Sequence, residues 1–279
     1  MNTKKNWFIT GANRGLGLAI ARTLLDAGHS VIATSRDPSG IVKALGVSAK
    51  LLVLKLDVTV AEQAEAAVKS AIASFGQIDV LVNNAGYGQL GWFENTSDEE
   101  IRKQFETNVF GTMNVTRAVL PQMRAKRSGH IITISSIAGL ISTSGYSVYS
   151  ASKFALEGWM EGLAVELHPL NIKATIVGPG FFNTDFLDSS SASYSTYGIE
   201  DYAAQVKDFI DYNQQMNHKQ VGDANLFGDL LISLSEAAKV PLRFSAGSDA
   251  YYAALDKIQQ LSQESEEWKS LSFASDTQV

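Results

Sequence analysis

No cysteine occurs in the 279 residues, which excludes disulfides, thiolate metal sites and cysteine nucleophiles together. Nor does any stretch approach the ~18 uninterrupted apolar residues that a spanning helix needs. The N-terminal "MNTKKNWFITGANRG" reaches a glycine turn and Arg14 after an apolar run of only Trp7 to Ile9, too short for a secretory signal. A cytoplasmic protein with no integral membrane segment is the expectation. Clustered positive charge is missing as well. The net charge is −6, and "MRAKR" (Met123–Arg127) reads as the basic C-terminal end of a helix, so nucleic acid is not an expected partner. None of the four histidines (His29, His130, His168, His218) has a ligand-spaced partner, and no metal is expected. The carboxylate pairs Glu99/Glu100 and Glu266/Glu267 read as solvated helix surface. No Pro/Gly/Ser-rich linker divides the chain, and no internal repeat is visible.

What is present is an alternation. Short β-branched apolar runs at 6–10, 30–34, 50–58, 78–86, 129–136 and 171–180 are separated by longer stretches of helical periodicity at 15–28, 61–74 and 98–123 and by a helix carrying Tyr149. Ser97, with Glu100 three residues on, is the pattern of a capping box. A seventh strand is expected at 241–247 and a last helix at 248–262, followed by a polar tail. Strands apolar on both faces, each followed by a helix, imply βαβ units. The expected fold is therefore α/β, one doubly wound parallel sheet of about seven strands with helices on both faces, in a single Rossmann-type domain spanning 1–279. A Ser/Tyr-rich insertion stands at about 186–220 and a C-terminal extension at about 221–279.

The first strand runs directly into "TGANRGLG", with Gly11, Gly15 and Gly17 at the opening of a helix. A helix N-terminus offers unpaired N–H groups and positive dipole to a pyrophosphate. Gly11 would make the tight turn, Gly15 the close approach to the ligand and Gly17 the helix–strand packing. The spacing is G-x-x-x-G-x-G without a following Lys-Ser/Thr, so a P-loop is excluded. A carboxylate is also lacking at the tip of the second strand, which ends Thr34, Ser35, Arg36. An arginine there pairs with a ribose 2′-phosphate, and Arg14 could add a second cation. NADP (NADPH) is the cofactor expected, with the adjacent Asp37 as the residue that argues against it.

Near the middle of the chain, "YSVYSASKFAL" places Lys153 four residues after Tyr149, on the same helical face one turn away. A free tyrosine titrates near ~10, and an ammonium close by favours its phenolate. By spacing alone the pair is either an ordinary surface contact or an acid/base, Tyr149, with Lys153 as the group that lowers its pKa. Ser136 would donate a hydrogen bond to a substrate oxygen, or else simply cap its strand end. Ser135 should point to the opposite face. Tyr146 is read as substrate-side wall or packing.

In order along the chain, these segments resemble the short-chain dehydrogenase/reductases, in their short single-domain form. "TGANRGLG" (10–17) resembles the family's cofactor turn, bringing in Asn13 and Leu16. "DVT" (57–59), with Asp57 and Val58, resembles its adenine-contacting segment. "NNAG" (83–86), with Asn84, Ala85 and Gly86, resembles its stabilising motif. "PGFFNT" (179–184), with Pro179, Gly180 and Thr184, resembles its nicotinamide-side segment. Ser136 precedes Tyr149 by the family's offset of thirteen, and Asn108 in "TNVFG" matches its helix asparagine. That likeness would give Asn108 a water relaying protons to Lys153; the other reading is a polar residue bonding a neighbouring strand. It also implies an NADP(H)-dependent oxidoreductase acting on C=O/CH–OH, with Lys153 bonding the nicotinamide ribose. A homo-oligomer is implied too, a dimer before a tetramer, paired through the helices at about 98–123 and 148–168.

Beyond residue 186 the resemblance weakens. Phe181, Phe182, Phe186, Tyr194, Tyr197, Tyr202 and Phe209 are expected to form a lid over a medium-sized, largely apolar ketone, aldehyde or secondary alcohol, or else to pack the loop down. Two other functions use this fold. A nucleotide sensor without turnover usually lacks the Tyr/Lys pair, which is present here. An epimerase or dehydratase carries a different glycine spacing and often an acidic second-strand tip.

Overall fold

The computed structural model describes residues 4–188, 191–195 and 198–276. Seven strands pair in parallel: β1 (Asn6–Thr10), β2 (Ser30–Ser35), β3 (Leu51–Lys55), β4 (Val80–Asn83), β6 (Gly129–Ile134), β7 (Ile172–Pro179) and β11 (Arg243–Ala246). Their spatial order is β11-β7-β6-β4-β1-β2-β3. Two short pairs lie outside this sheet: β5 (Gly88–Leu90) with β9 (Ala192–Tyr194), and β8 (Phe182–Asn183) with β10 (Gly222–Asp223). The helices are α1 (Gly15–Asp26), α2 (Ser39–Leu45), α3 (Ala61–Phe75), α4 (Asp98–Phe105), α5 (Gly111–Lys126), α6 (Ser147–Leu167), α7 (Ala203–Met216), α8 (Phe227–Glu236), α9 (Ser248–Glu267) and α10 (Lys269–Phe273).

The continuous apolar runs of the strands have a simple cause: both faces are covered. Phe8, Ile32, Leu81 and Ile131 point to one side, where Val68 of α3, Val115 and Val119 of α5 and Met160 of α6 meet them. Trp7, Ile9, Val31 and Val80, one residue out of phase, meet Ile20 and Leu24 of α1 and Phe227 and Leu231 of α8 on the other. The strand order reverses between β1 and β4, and in such sheets the crevice at the carboxyl ends beside that point takes the ligand. No helix among the described residues is long and apolar enough to cross a membrane.

Three elements differ from expectation. The helix expected over 98–123 begins with the capping box (Ser97 N–H to Glu100 Oε2 2.7 Å, Glu100 N–H to Ser97 Oγ 3.2 Å), but a π turn at Glu106–Phe110 divides it into α4 and α5. α2 has no periodicity long enough to announce it. The last helix runs on to Glu267 and α10 takes up part of the expected tail, because the intervening Gln, Glu and Lys favour helix whether or not a core covers them.

His130 lies in β6, 4 % exposed, with its Nε2 2.9 Å from Thr175 Oγ1. Burial, reinforced by Lys173 and Lys5, pushes its pKa down to about 3. The unfolded chain therefore takes up a proton near pH ~6.5 that the folded chain refuses, so this contribution is whole above ~6.5 and falls with pH toward about 3. About 2 kcal/mol of stability should disappear between pH ~6.5 and ~5 from this group. Urea unfolding at both pH values should show a smaller loss for His130→Gln than for wild type. Equal losses would refute the assignment.

Candidate active site

A cleft of about 1390 Å³ opens over the carboxyl ends of β1, β2, β4, β6 and β7. Its walls bring together Gly11, Asn13, Arg14, Gly15, Leu16, Gly17, Arg36, Asp57, Val58, Asn84, Ala85, Gly86, Ser136, Tyr149, Lys153, Pro179, Gly180 and Thr184. Of the catalytic and cofactor residues named from the sequence, Asn108 is the one that does not reach it. Asn108 is 1 % exposed and sits behind the wall. Its amide donates to Tyr87 O (3.0 Å) and Ser152 Oγ (3.2 Å), and its Oδ1 accepts from Tyr87 N–H (3.1 Å). The side chain thus ties the loop after β4 to α6.

At one end of the cleft stand the three glycines of the turn. Gly11 and Gly15 have φ of +67° and +51°, in the left-handed region. A Cβ on Gly17 would stand 2.3 Å from Gly11 O and 2.5 Å from Asn84 Nδ2. α1 starts with no side-chain cap, so its first N–H groups stand at the cleft beside these glycines. Thr10 Oγ1 accepts from both Asn84 N–H and Ala85 N–H (2.9 Å each), while the Asn84 amide donates to Thr10 O (2.9 Å) and Gly11 O (3.1 Å). This clamp holds the turn between β1 and β4. The donors, the bare backbone and the extent of the cleft all fit a dinucleotide.

At the tip of β2, Arg36 is exposed on the cleft wall. Asp37 is committed elsewhere: its carboxylate accepts from Ser39 N–H (3.0 Å) at the start of α2, and the serine lowers its pKa. Asp57 turns onto its own chain, accepting from Thr59 N–H (3.0 Å) and Thr59 Oγ1 (2.8 Å).

The other end is built by α6. Its buried stripe contains Tyr149, Lys153, Leu156, Glu157, Met160, Leu163 and Leu167, so the packing that docks the helix also buries the polar pair. Lys153 donates to Ile134 O (2.9 Å), and its Nζ stands 5.7 Å from the Tyr149 ring centroid. Burial pulls the Lys153 pKa down to about 8, and Glu157 pushes it back up. Burial raises the Tyr149 phenol above the usual tyrosine range, opposed by the Ser136 hydroxyl. The Lys153 ammonium thus bonds a carbonyl and lies over the ring face of Tyr149. Ser136 Oγ accepts from Ala138 N–H (3.1 Å), while the Ser135 hydroxyl turns the other way, over Gly139 toward Glu157.

Aromatic residues close the substrate side. Phe186 packs on Tyr149 (ring centroids 5.5 Å), and Phe209 meets Tyr146 (5.5 Å), Trp92 (5.6 Å) and Tyr194 (6.4 Å). The β5–β9 pair and a Thr96–Ser195 hydroxyl contact of 2.7 Å fasten this segment to the loop after β4. The expected lid is only partly this group. Phe182 turns into the core against Phe227 (5.0 Å), Phe181 is exposed, Tyr202 bonds Glu94, and Tyr197 lies outside the described residues. Trp92 lies in "YGQLGWFENT" (87–96), the segment after the fourth strand that the sequence places beside the cleft together with the insertion.

Sequence spacing also missed a histidine partner. His218 Nε2 lies 3.5 Å from Asp188 Oδ1, and Asp185 joins them within 4.8 Å. His218 is half exposed there, and the group has the character of a surface ion pair.

The chain's similarities agree with this geometry. The short chain dehydrogenase family model matches residues 5–195. An oxidoreductase, BOA17, of Botryotinia fuckeliana is 37% identical over 273 residues, covering 97% of this chain and 99% of its own. A 3-ketodihydrosphingosine reductase of Bacteroides thetaiotaomicron is 46% identical over 195 residues, 70% of each chain. The crystal structure of a short-chain dehydrogenase from Streptomyces avermitilis superposes with a TM-score of 0.89 at 37% identity, covering 99% of this chain and 100% of that one. With its doubly wound sheet, its glycine cradle and these relatives, the chain belongs to the short-chain dehydrogenase/reductase family and is an NAD(P)-binding oxidoreductase.

Proposed function

We propose that the chain reduces the carbonyl of a medium-sized, largely apolar ketone or aldehyde with NADPH, or oxidises the corresponding alcohol. The observation that carries this reading is the meeting of buried Tyr149 and Lys153 with half-buried Ser136 beside Phe186, in one cleft with the glycine cradle. A bound nicotinamide supplies the hydride chemistry. The protein's part is the proton and the field. Tyr149, held protonated by burial, gives its proton to the substrate oxygen in reduction. The Ser136 hydroxyl donates a hydrogen bond to the same oxygen as charge develops. Lys153 stands as the neighbouring cation and as a donor to the cofactor's ribose, and Asn108 positions the wall behind. The aromatic cover favours apolar substrates, and the relative named as a 3-ketodihydrosphingosine reductase is a ketone reductase by name.

NADPH is preferred on this reading because Arg36 stands free on the wall while Asp37 is occupied by Ser39. Steady-state kinetics with NADPH and NADH over a panel of apolar ketones and aldehydes tests both parts. Arg36→Ala should weaken NADPH about tenfold and leave NADH nearly unchanged. Comparable use of both cofactors by wild type would sink the preference, and NADPH binding without turnover on any compound would favour a sensor. A homo-oligomer belongs to the same proposal, since Phe110, Phe154 and Val165 are exposed on the helices expected to pair.

A further inference from the structure

Glu157 is the least expected member of the α6 stripe. It is 6 % exposed, one turn beyond Lys153, in a stripe continued by Leu156, Met160 and Leu163. Its Oε2 accepts from Arg243 Nε of β11 (2.9 Å), an arginine that also reaches Glu161 from the solvent side. The other carboxylate oxygen lies over Gly139, close to the Ser135 hydroxyl at the end of β6. Arg243 is exposed on its outer side, and an ion pair open to water on one side adds little to stability, which makes this pair weak as a device for stability alone. Its position supplies another use.

We propose that Glu157, clamped by Arg243 beneath Lys153, is a positioning residue that keeps Lys153 charged during turnover. This rests on the role given above to Tyr149 and Lys153. The groups facing the pair are few: Tyr149 lies beside Lys153, and Ser135, Arg243 and Glu161 surround Glu157. Lys153 is buried and bonded to a neutral carbonyl, Ile134 O, so Glu157 is the anion that offsets its desolvation. Gly139 has room for this arrangement because a Cβ there would stand 2.6 Å from Ser135 Oγ and 3.1 Å from Glu157 Oε1.

The sign follows from the charge. A lysine that must be cationic gives an alkaline limb to the rate, and removing its counter-anion moves that limb to lower pH. Glu157→Gln keeps the side-chain volume and should move the limb of ketone reduction down by about 1 pH unit. Glu157→Asp retains the charge and should leave the limb near its wild-type position even where thermal stability drops. Glu161→Gln, which removes a solvent-side contact of Arg243, should leave it in place. The titration of Lys153 is read independently of activity by NMR of ¹³Cε-labelled lysine, assigned with Lys153→Arg. A limb and a titration that stay put in Glu157→Gln, or an Asp variant that moves as far as Gln, overturn the proposal. A titration that moves as expected while no substrate turns over supports the coupling and refutes the proposed reaction instead.

Discussion

Tyr149→Phe is expected to cut the turnover of apolar ketones by about 10²- to 10⁴-fold, the usual contribution of a positioned proton donor. Cofactor affinity should survive, because the glycine cradle and Lys153 are untouched. The substitution removes one buried oxygen and leaves the ring, so the contacts with Phe186 and Tyr146 persist and no sizeable cavity forms. Thermal stability should hold or rise, since burial disfavours the polar group being removed. The pair of measurements is stopped-flow reduction under single-turnover conditions and a fluorescence titration of NADPH. Turnover within about tenfold of wild type would remove Tyr149 from its role. The pH dependence adds a second check. Because the phenol holds its proton above the usual tyrosine range, the acid form needed for reduction persists through neutral pH. The first group in the site to change charge on the alkaline side is Lys153, near pH 8. Reduction should therefore be level through neutral pH and fall near there, with Lys153 as the titrating group.

How much of this was legible in the sequence depends on how local the cause is. The β1–α1 turn, the Ser97–Glu100 cap and the Tyr149–Lys153 spacing are each written within a few residues, and each appears as read. The parallel sheet follows from regular alternation of strand and helix. What could not be read is what the fold brings together from far apart. Arg243 meets Glu157 across 86 positions of sequence, and Phe209 meets Trp92 only because the segment after β9 folds back over the cleft. His218, Asp185 and Asp188 belong to the same class. The surroundings of Tyr149 and Lys153 were not legible for another reason. Helical spacing gives the direction of Lys153 but not the competing carbonyl of Ile134, nor the depth at which desolvation overtakes a neighbouring charge.

Gly17→Ala is expected to damage cofactor binding markedly, although alanine is the better helix former. The methyl group would enter space bounded by Gly11 O at 2.3 Å and Asn84 Nδ2 at 2.5 Å. Neither neighbour can give way cheaply. Gly11 O is backbone and accepts from Asn84, whose amide also holds Thr10 O, and the Thr10 hydroxyl in turn fixes Asn84 and Ala85. Relief comes only from moving α1 off the end of β1, and that displaces the N–H groups available to a pyrophosphate. Overpacking of this kind costs about 1–3 kcal/mol in stability. The same displacement should weaken cofactor binding by about 10- to 100-fold, since 1.4 kcal/mol is a factor of ten. Gly162 of α6 is the comparison, because a Cβ there meets nothing within 4 Å. Gly162→Ala should raise the thermal midpoint through its helix preference alone and leave NADPH affinity unchanged. If the two variants bind cofactor equally well, the close packing at Gly17 does not build the cofactor site. If only Gly17→Ala loses binding while its sheet and core stay folded, contact between two backbone segments sets the position of the helix end that receives the ligand.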